Sequence, residues 1–535
     1  MSIRTIRKPL ARLWPTLLVC LLACNSADTV DPNQNPPDDP NNPNNPNNPN
    51  NPNNPNNPGS PGFSILTLLH GTQNGAADQA RDVALDAQGN IYVAGGTADR
   101  NFPTTENAYQ RTFGRGQAAT GVGSDGNWDV FVMKFTPDGQ LVWSTLVGGG
   151  NYDRAYAIEV DGSGVYIAGR AGGGFPTTGG TVQPTFLGDN SPNPLYGRQD
   201  GFIAKLSPDG SALLWATYFG GPSYEFIRDI AVDAAGDLYP AVANARQGFP
   251  HITTGAYQST NRGLGDGVAC RIAAGAGSVR WCTFIGGSGD DGAPPSVRLD
   301  GAGNVYYLQA VKSSNMPVTA GAYQTTFGGN IDEHLAKFSP QGALLFATYY
   351  GGSGIDAGET HNLWVTPNGE AYVGGNTTST NLPVTNGAFQ ARSGGGYDGF
   401  IAHFSADGRQ LLSATYLGGP GADAVEGIGM DAAGNVIVAG ASAGGGLPTA
   451  GAPQPNAGGA EDGFIAVVSP GLTSVSHATY LGGTGADAGR TIAVDRQRNV
   501  IYTGGNTESA NFPTAGTAFL PQYAGRDAFL AGWRP

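Results

Sequence analysis

The feature that most constrains this chain is a motif, a hydrophobic residue followed by proline, that recurs seven times in 535 residues. Successive copies lie 65 to 74 positions apart. The prolines are Pro103, Pro176, Pro250, Pro317, Pro383, Pro448 and Pro513. A motif that returns at a nearly constant interval indicates tandem structural repeats. The chain therefore contains seven copies of one unit.

Each copy contains four short strand-like segments, and helical spacing of apolar residues is nowhere sustained. Typical segments are "IYVAGGT" at 91–97, "DGFIAKL" at 200–206, "LLWATYFGG" at 213–221 and "DIAVD" at 229–233. An Asp-x-x-Gly-Asn turn joins the first and second segments, as in a tight hairpin. Four strands in each of seven copies predict an all-β fold, a seven-bladed β-propeller with four-stranded blades around a central channel.

The two ends of the repeat array complement each other. The seventh copy stops at "DAFLAGWRP" and lacks a fourth strand, whereas "SILTLLHG" at 64–71 matches the fourth-strand pattern. Thr67 aligns with Thr145 and with the threonine at the same place in every later copy. We therefore predict that the N-terminal strand completes the last blade and closes the ring, which removes an open sheet edge.

The N-terminus has the pattern of an export signal, with four basic residues before the apolar stretch "LWPTLLVCLLA" at 13–23. The ending "LLAC" resembles the bacterial lipobox, which predicts that Cys24 is lipidated. An ordinary signal peptide with an incidental cysteine is the alternative. Asn25 follows, in place of the Asp that tends to favour inner-membrane retention in such lipoproteins. We therefore expect the protein at the bacterial outer membrane or cell surface.

A stalk follows the signal. Six consecutive copies of Asn-Asn-Pro occupy 41–58, and this composition has almost nothing apolar to bury. The predicted domains are a lipoprotein signal peptide at 1–23, a disordered Asn/Pro-rich stalk at 24–62 and the propeller at 63–535.

The cadence of "FPTT", "GAYQ", "DGFIAKL" and "ATYFGG" resembles the bacterial seven-bladed β-propeller repeat (SBBP) family, of the surface lipoprotein type. The resemblance covers about 64–535. It implies the propeller fold, and it implies no catalytic residues because the family shares none that match positions here. The third copy departs most, since Pro240 falls in its second strand pattern.

Composition argues against several function classes. A net charge of −14 without a basic run after residue 12 disfavours nucleic acid, whose binding rests on clustered Lys and Arg. The six histidines lack metal-ligand spacing. No nucleophile elbow, phosphate loop or zinc signature is present. The sequence thus indicates no catalytic residue, no metal ligands and no cofactor, and it leaves an enzymatic activity open.

Two acidic sets follow the repeat. One is an Asp before each third strand, at 129, 200, 266, 332, 398, 462 and 527, which we expect to fix the neighbouring loop. The other lies eight residues before the aspartate of the first hairpin. Its members are Asp78, Asp153, Glu225, Asp423 and Asp487. These residues could ring one channel mouth and attract a cation such as Ca²⁺; capping of loops is the alternative.

The loops between strands two and three are about ten residues longer in the first two copies than in the others. Because successive strands of a blade run in opposite directions, these loops lie on the face opposite the tight turns. We expect this long-loop face to be the ligand-binding surface. The candidate ligand-binding residues in the additions are Asp125, Trp128, Asp189, Tyr196 and Arg198. The alternative is that they are tolerated insertions whose aromatic side chains only pack the loops down.

Cys270 and Cys282 flank the hairpin between strands three and four of the third copy symmetrically. They should face each other across the ladder at a separation within disulfide range. Export to an oxidising compartment would then allow a disulfide. Two buried thiols are the alternative.

These observations favour a non-enzymatic, surface-tethered binding or adhesion scaffold for an extracellular glycan or protein. The alternatives are a propeller hydrolase or lyase acting on polysaccharide, and a structural envelope protein. We expect a monomer that touches the membrane through its lipid anchor alone.

Overall fold

The structure is a computed structural model that describes residues 62–73, 75–114, 126–188, 195–292, 294–516, 518–520 and 522–535. These residues form seven antiparallel sheets, one for each sequence repeat. The first strands of neighbouring blades lie side by side, so they surround the central channel. The predicted all-β, seven-bladed propeller is confirmed. In the described part of the chain, no helix is long and apolar enough to cross a membrane.

Strands are numbered from the channel outward within each blade. Blade 1 contains Asp78–Leu85, Ile91–Thr97, Asp129–Phe135 and Leu141–Val147. Blade 2 contains Arg154–Asp161, Gly164–Ala171, Asp200–Leu206 and Leu213–Tyr218. Blade 3 contains Phe226–Val232, Leu238–Ala245, Asp266–Ile272 and Val279–Ile285, with a 3₁₀ turn at Ala274–Ala276. Blade 4 contains Ser296–Leu299, Val305–Val311, Asp332–Phe338 and Leu344–Tyr350.

The first strand is interrupted in blades 5 and 7. Blade 5 contains Asp356–Ala357 with Leu363–Val365, then Ala371–Thr377, Asp398–Phe404 and Leu411–Leu417. Blade 6 contains Asp423–Met430, Val436–Ser442, Asp462–Val468 and Val475–Leu481. Blade 7 contains Asp487–Gly489 with Ala493–Asp495, then Val500–Thr507, Asp527–Arg534 and Gly62–Leu69, with Ala515–Gly516 beyond.

The N-terminal strand closes the ring as predicted. It pairs antiparallel with the last strand of the chain, for example Leu66 with Ala531 and Leu68 with Phe529. Leu66 and Leu68 are buried in a hydrophobic core that includes Trp533. Closure therefore joins the two ends of the described chain through both a hydrogen-bonded ladder and apolar packing.

In six blades an aspartate accepts hydrogen bonds from the backbone of the first hairpin turn and holds the turn. In blade 1 the Asp86 carboxylate accepts hydrogen bonds from the backbone N–H of Gln88 and Asn90, at 3.0 and 2.8 Å. Gly89 has a φ of 81°, a conformation that side chains disfavour. The sequence pattern thus encodes the first hairpin of the blade directly.

The aspartate before each third strand fixes the long loop, as expected. In blade 4, Asp332 accepts hydrogen bonds from Gln324 Nε2 at 3.2 Å and from the Gly328 N–H at 2.7 Å. The same kind of contact is made by Asp129, Asp200, Asp266, Asp398, Asp462 and Asp527. One residue type in every blade therefore performs one structural task.

Candidate functional site at the channel mouth

The first strand of four blades carries a β-bulge at the same place. The bulged residues lie five positions before the aspartate of the first hairpin. They are Arg81, Tyr156, Arg228 and Glu426. Blades 5 and 7 interrupt the strand here, at His361 and Arg490. A bulge re-aims a side chain and is common next to functional sites; we call these six residues the bulge column.

Four arginines surround Tyr156 of this column. The guanidinium carbons of Arg81, Arg154, Arg170 and Arg228 lie 5.2, 4.7, 5.0 and 4.5 Å from the centre of its ring. They come from blades 1, 2 and 3, so the arrangement exists only after the ring has assembled. We call them the arginine cluster. Cations over aromatic rings are attracted by the ring quadrupole.

The cluster contains few counter-charges. The Arg228 guanidinium pairs with Glu359 of blade 5, and Arg490 pairs with Glu426. Among the described residues, the other three arginines of the cluster form no ion pair with a carboxylate. The Nε atoms of Arg154, Arg170 and Arg228 are buried without a hydrogen-bond partner there. An excess of positive charge is therefore held at this mouth.

This charge shifts the pKa values of the groups it contacts. Burial alone would raise the pKa of Tyr156, but the four arginines of the cluster outweigh burial and lower it to about 7. Burial, together with the charges of Arg154, Arg228 and Arg490, lowers the pKa of Arg81 to about 9. Perturbed groups of this kind concentrate at functional sites.

His361 forms the floor beneath the cluster. From blade 5 its Nε2 reaches the backbone oxygen of Tyr156 at 3.0 Å, and its Nδ1 lies 3.6 Å from Asp229 in blade 3. Asp82 of blade 1 lies 3.8 Å from His361 and accepts a hydrogen bond from the Thr491 hydroxyl of blade 7. His361 has a φ of 69°, which is rare for a residue other than glycine. These contacts span the channel between opposite blades.

Two of the candidate ligand residues meet at one wall of this mouth. Trp128 packs on Tyr152 with ring centres 5.4 Å apart, and Tyr152 packs on Tyr196 at 4.9 Å. Arg170 lies over the Tyr196 ring at 4.4 Å, and Arg154 donates to the Tyr152 hydroxyl at 3.0 Å. The two long loops therefore join beside the arginine cluster.

The other candidate residues are placed differently. Trp128 is only 4% exposed, so its ring is part of the wall and not a free surface. Arg198 is exposed to solvent. Asp125 and Asp189 lie outside the described residues. The role of these five residues in direct ligand contact stays a prediction.

The second acidic set is buried. Asp153 accepts hydrogen bonds from the N–H of Gly149 and Gly172, at 2.6 and 2.9 Å. The turns before the inner strands are held in the same way by Glu225, Asp423 and Asp487, while Asp78 bonds to the Thr97 hydroxyl. Burial raises the pKa of Asp153 and of Asp423. This geometry matches the loop-capping alternative and leaves none of the five exposed at the channel mouth.

A metal site is not apparent from the side chains. Within the described ranges, no group of three or more His, Cys, Asp or Glu residues is arranged to hold a metal ion. Each capping carboxylate accepts a hydrogen bond within its own turn. The carboxylates belong to different blades.

The opposite mouth of the channel, on the tight-turn face, holds two adjacent cavities of about 380 and 520 Å³. Both are lined by Trp364, Met430 and Arg496. The guanidinium of Arg496 lies over the Trp364 ring at 5.4 Å. No sequence motif predicts these cavities, because hairpin ends of several blades form them together.

The structure joins Cys270 and Cys282 by a disulfide, with a Cα separation of 4.1 Å. The two residues are direct partners in the ladder between strands three and four of blade 3. Equivalent ladder positions in blade 4 hold Ala336 and Ala347.

The comparison with known protein families agrees with the repeat organisation. Residues 478–513 match the SBBP family, described as a beta-propeller repeat. The match confirms the resemblance to that repeat, whereas the lipoprotein type stays a prediction. No curated protein matches the sequence.

Two solved WD40 structures and one dehydrogenase resemble the chain. The Pan2 WD40 domain of Neurospora crassa has 9% identity and a TM-score of 0.41, covering 88% of this chain and 97% of its own. The RRP9 WD40 repeats have 8% identity and the same score, with coverage of 88% and 98%. The quinohemoprotein alcohol dehydrogenase of Comamonas testosteroni has 11% identity and a score of 0.38, with coverage of 88% and 76%. These similarities transfer no function.

Sequence reasoning missed the arginine cluster, although a signal for it exists. Several aligned positions keep one residue type in all seven copies, such as the Asp before the third strand and the Pro of the loop motif. The column five positions before the hairpin aspartate instead reads Arg, Tyr, Arg, Pro, His, Glu and Arg. Residues of different charge at one position of a repeat indicate that this position does not have the same structural role in every blade.

Proposed function

We propose that this protein is a non-enzymatic, surface-tethered binding or adhesion scaffold whose glycan or protein ligand binds at the long-loop mouth of the channel. One observation carries the proposal: the bulge column brings side chains of different charge from several blades to one point, whereas positions such as the aspartate before each third strand keep one residue type in all seven blades. Binding and catalytic residues are commonly presented by a rigid scaffold in this way.

The tether completes the proposal. Lipidation of Cys24 and the Asn/Pro-rich segment would hold the propeller away from the bacterial outer membrane or cell surface, with the lipid as the one membrane contact. Both lie outside the described residues. The partner is an extracellular glycan or protein, nucleic acid is not a partner, and the protein acts as a monomer.

An array of polysaccharides and extracellular matrix proteins tests this function. We expect the full-length protein, purified in detergent, to be retained by at least one of them. The variant Arg154→Gln should lose most of this retention, because Arg154 contacts both Tyr152 and Tyr156 at the mouth. The matched control Arg496→Gln changes the opposite mouth and should bind normally. Equal retention of both variants would place the binding site elsewhere.

A hydrolase or lyase acting on polysaccharide is the second candidate, and Tyr156 favours it. A tyrosine whose pKa is about 7 is ionised in part at neutral pH and can serve as a general base. Release of oligosaccharides from a retained polysaccharide, abolished by Tyr156→Phe, would support this candidate. Retention without any released product would leave the binding function alone.

A further inference from the structure

The arginine cluster is unusual for this protein. The chain carries a net charge of −14, so four converging guanidiniums do not reflect a basic composition. Glu359 is the one carboxylate paired with the cluster in the described part of the chain. Like charges at such spacing repel strongly where water is partly excluded. Four guanidiniums exceed the single negative charge of Glu359, so an anion bound among them would offset the repulsion.

The buried donors point to where that anion would lie. Arg154, Arg170 and Arg228 are only 8, 4 and 7% exposed, and each keeps an Nε without a partner. Arg170 donates to the Tyr224 hydroxyl and Arg154 to the Tyr152 hydroxyl, so hydroxyls satisfy other parts of the guanidiniums. Buried donors of a native protein normally have partners. The guanidinium carbons of all three lie within 5.0 Å of the centre of the Tyr156 ring, so the unpartnered donors are close together.

The chemistry of the donors restricts the ligand. Guanidinium groups present planar pairs of N–H donors that match the two oxygens of a carboxylate or sulfate. The half-buried Tyr196 contributes an aromatic ring under Arg170. The half-buried Tyr224 hydroxyl accepts from Arg170 and can donate to a ligand. A sugar ring offers hydroxyls around a projecting oxyanion and matches this combination.

We propose that the long-loop mouth binds the oxyanion of an acidic sugar, a carboxylate or a sulfate ester, among Arg81, Arg154, Arg170 and Arg228. This inference rests on the proposed binding function and names its ligand class. The His361 floor closes the site from below, so the oxyanion enters from the long-loop face and the remainder of the saccharide stays on that face.

Calorimetric titration of the full-length protein tests the inference with four probes at constant ionic strength. They are sodium sulfate, a galacturonate oligomer, a neutral galactose oligomer and a glutamate peptide. We expect sulfate and galacturonate to bind, and the neutral oligomer to bind at least about tenfold more weakly than galacturonate. Arg170→Gln should weaken galacturonate binding about tenfold, as expected for loss of a charged hydrogen-bond donor. The control Arg496→Gln should leave it unchanged.

Arg81→Gln provides a second variant that should fold. Arg81 is half-buried and has no carboxylate partner among the described residues, so its removal relieves repulsion. Without added anion, we expect its melting temperature to equal or exceed that of the wild type. The increase that sulfate or galacturonate causes in the wild type should be lost. A purely structural arginine would lower the melting temperature in both conditions.

Four results would overturn the inference. One is absence of binding by both acidic probes, and another is unchanged galacturonate binding by Arg81→Gln and Arg170→Gln. Equal affinity for the neutral and acidic oligomers, with loss of both in Arg170→Gln, would reject the anion while leaving the proposed binding function intact. Tighter binding of the glutamate peptide than of the galacturonate oligomer would reject the sugar.

Discussion

The loop-fixing aspartates occur in all seven blades and the bulge column in six, and the two sets differ in one respect. The aspartate before each third strand is the same residue in all seven blades and holds its own loop. The bulge column changes from Arg to Tyr, His and Glu and makes contacts between blades. The residue that repeats thus holds the scaffold of each blade, and the residues that vary form the candidate site.

The largest expected effect concerns the scaffold. Deletion of 62–71 should remove ring closure, because Phe63, Ile65, Leu66, Leu68 and Leu69 are all buried. Burial of five such side chains contributes on the order of 10 kcal/mol, comparable with the whole stability of a domain. We expect loss of the cooperative melting transition in circular dichroism. Deletion of 25–58 is the matched control, and equal transitions in the two variants would contradict closure by this strand.

Acidic pH should favour the folded scaffold. Burial raises the pKa of Asp129 and of Glu225 to about 7, and that of Glu333 to about 8. Raised values mean that the stabilisation is present below the unfolded pKa and is lost as pH rises through 7 to 8. The lowered pKa of Tyr156 acts in the opposite direction, since it adds stability above pH 7.

Because the carboxyl groups outnumber Tyr156, we expect the free energy of unfolding to fall by a few kcal/mol between pH 5 and pH 8. Urea denaturation at both pH values measures it. A higher stability at pH 8 would mean that these carboxyl groups are not buried as described.

The disulfide of blade 3 tests the comparison between repeated and unrepeated residues. It is unrepeated, yet we expect it to stabilise the fold and to have no role in binding. Cys270 and Cys282 stand where blade 4 has alanines. Replacing both by alanine should cost about 3 kcal/mol through the loop that the bond closes, while ligand retention stays unchanged. Guanidinium denaturation of the variant measures the loss. Alkylation of both Cys270 and Cys282 in the denatured, unreduced wild type, located by peptide mass spectrometry, would show that the bond is absent.

A single capping aspartate should have the smallest effect. Asp398→Ala removes the acceptor for the Gly394 N–H and the Ser393 hydroxyl in blade 5. We expect a loss of about 1–3 kcal/mol and normal binding of acidic probes. Loss of binding with unchanged stability would show that Asp398 belongs to the ligand site and does not stabilise the scaffold.

The sequence predicted the fold well because its signals are local and repeated. Period, turn residues and the unmatched ends specify seven blades and the closing strand, as the pairing of Leu66 with Ala531 confirms. The two acidic sets were harder to separate, because a carboxylate that caps a buried turn and one that faces a channel have the same spacing. Asp153 illustrates this, since its partners Gly149 and Gly172 are visible only in the fold.

The site was less predictable because three blades build it. Trp128 and Tyr196 were selected from their long loops, and both lie at the wall of the mouth. The four arginines of the cluster were not selected, since they come from three repeats and no sequence motif links them. A one-residue bulge decides where Arg81 and Arg228 point, and a bulge depends on strand pairing that periodicity does not encode.

The central claim is that the unrepeated arginines, and not the repeated carboxylates, form the ligand site. A crystal structure of the protein soaked with selenate, which replaces sulfate and scatters anomalously, tests it most directly. We predict an anomalous peak among the guanidiniums of Arg81, Arg154, Arg170 and Arg228, above the His361 floor. A peak confined to Arg496 at the opposite mouth, or no peak in the channel, would contradict the claim.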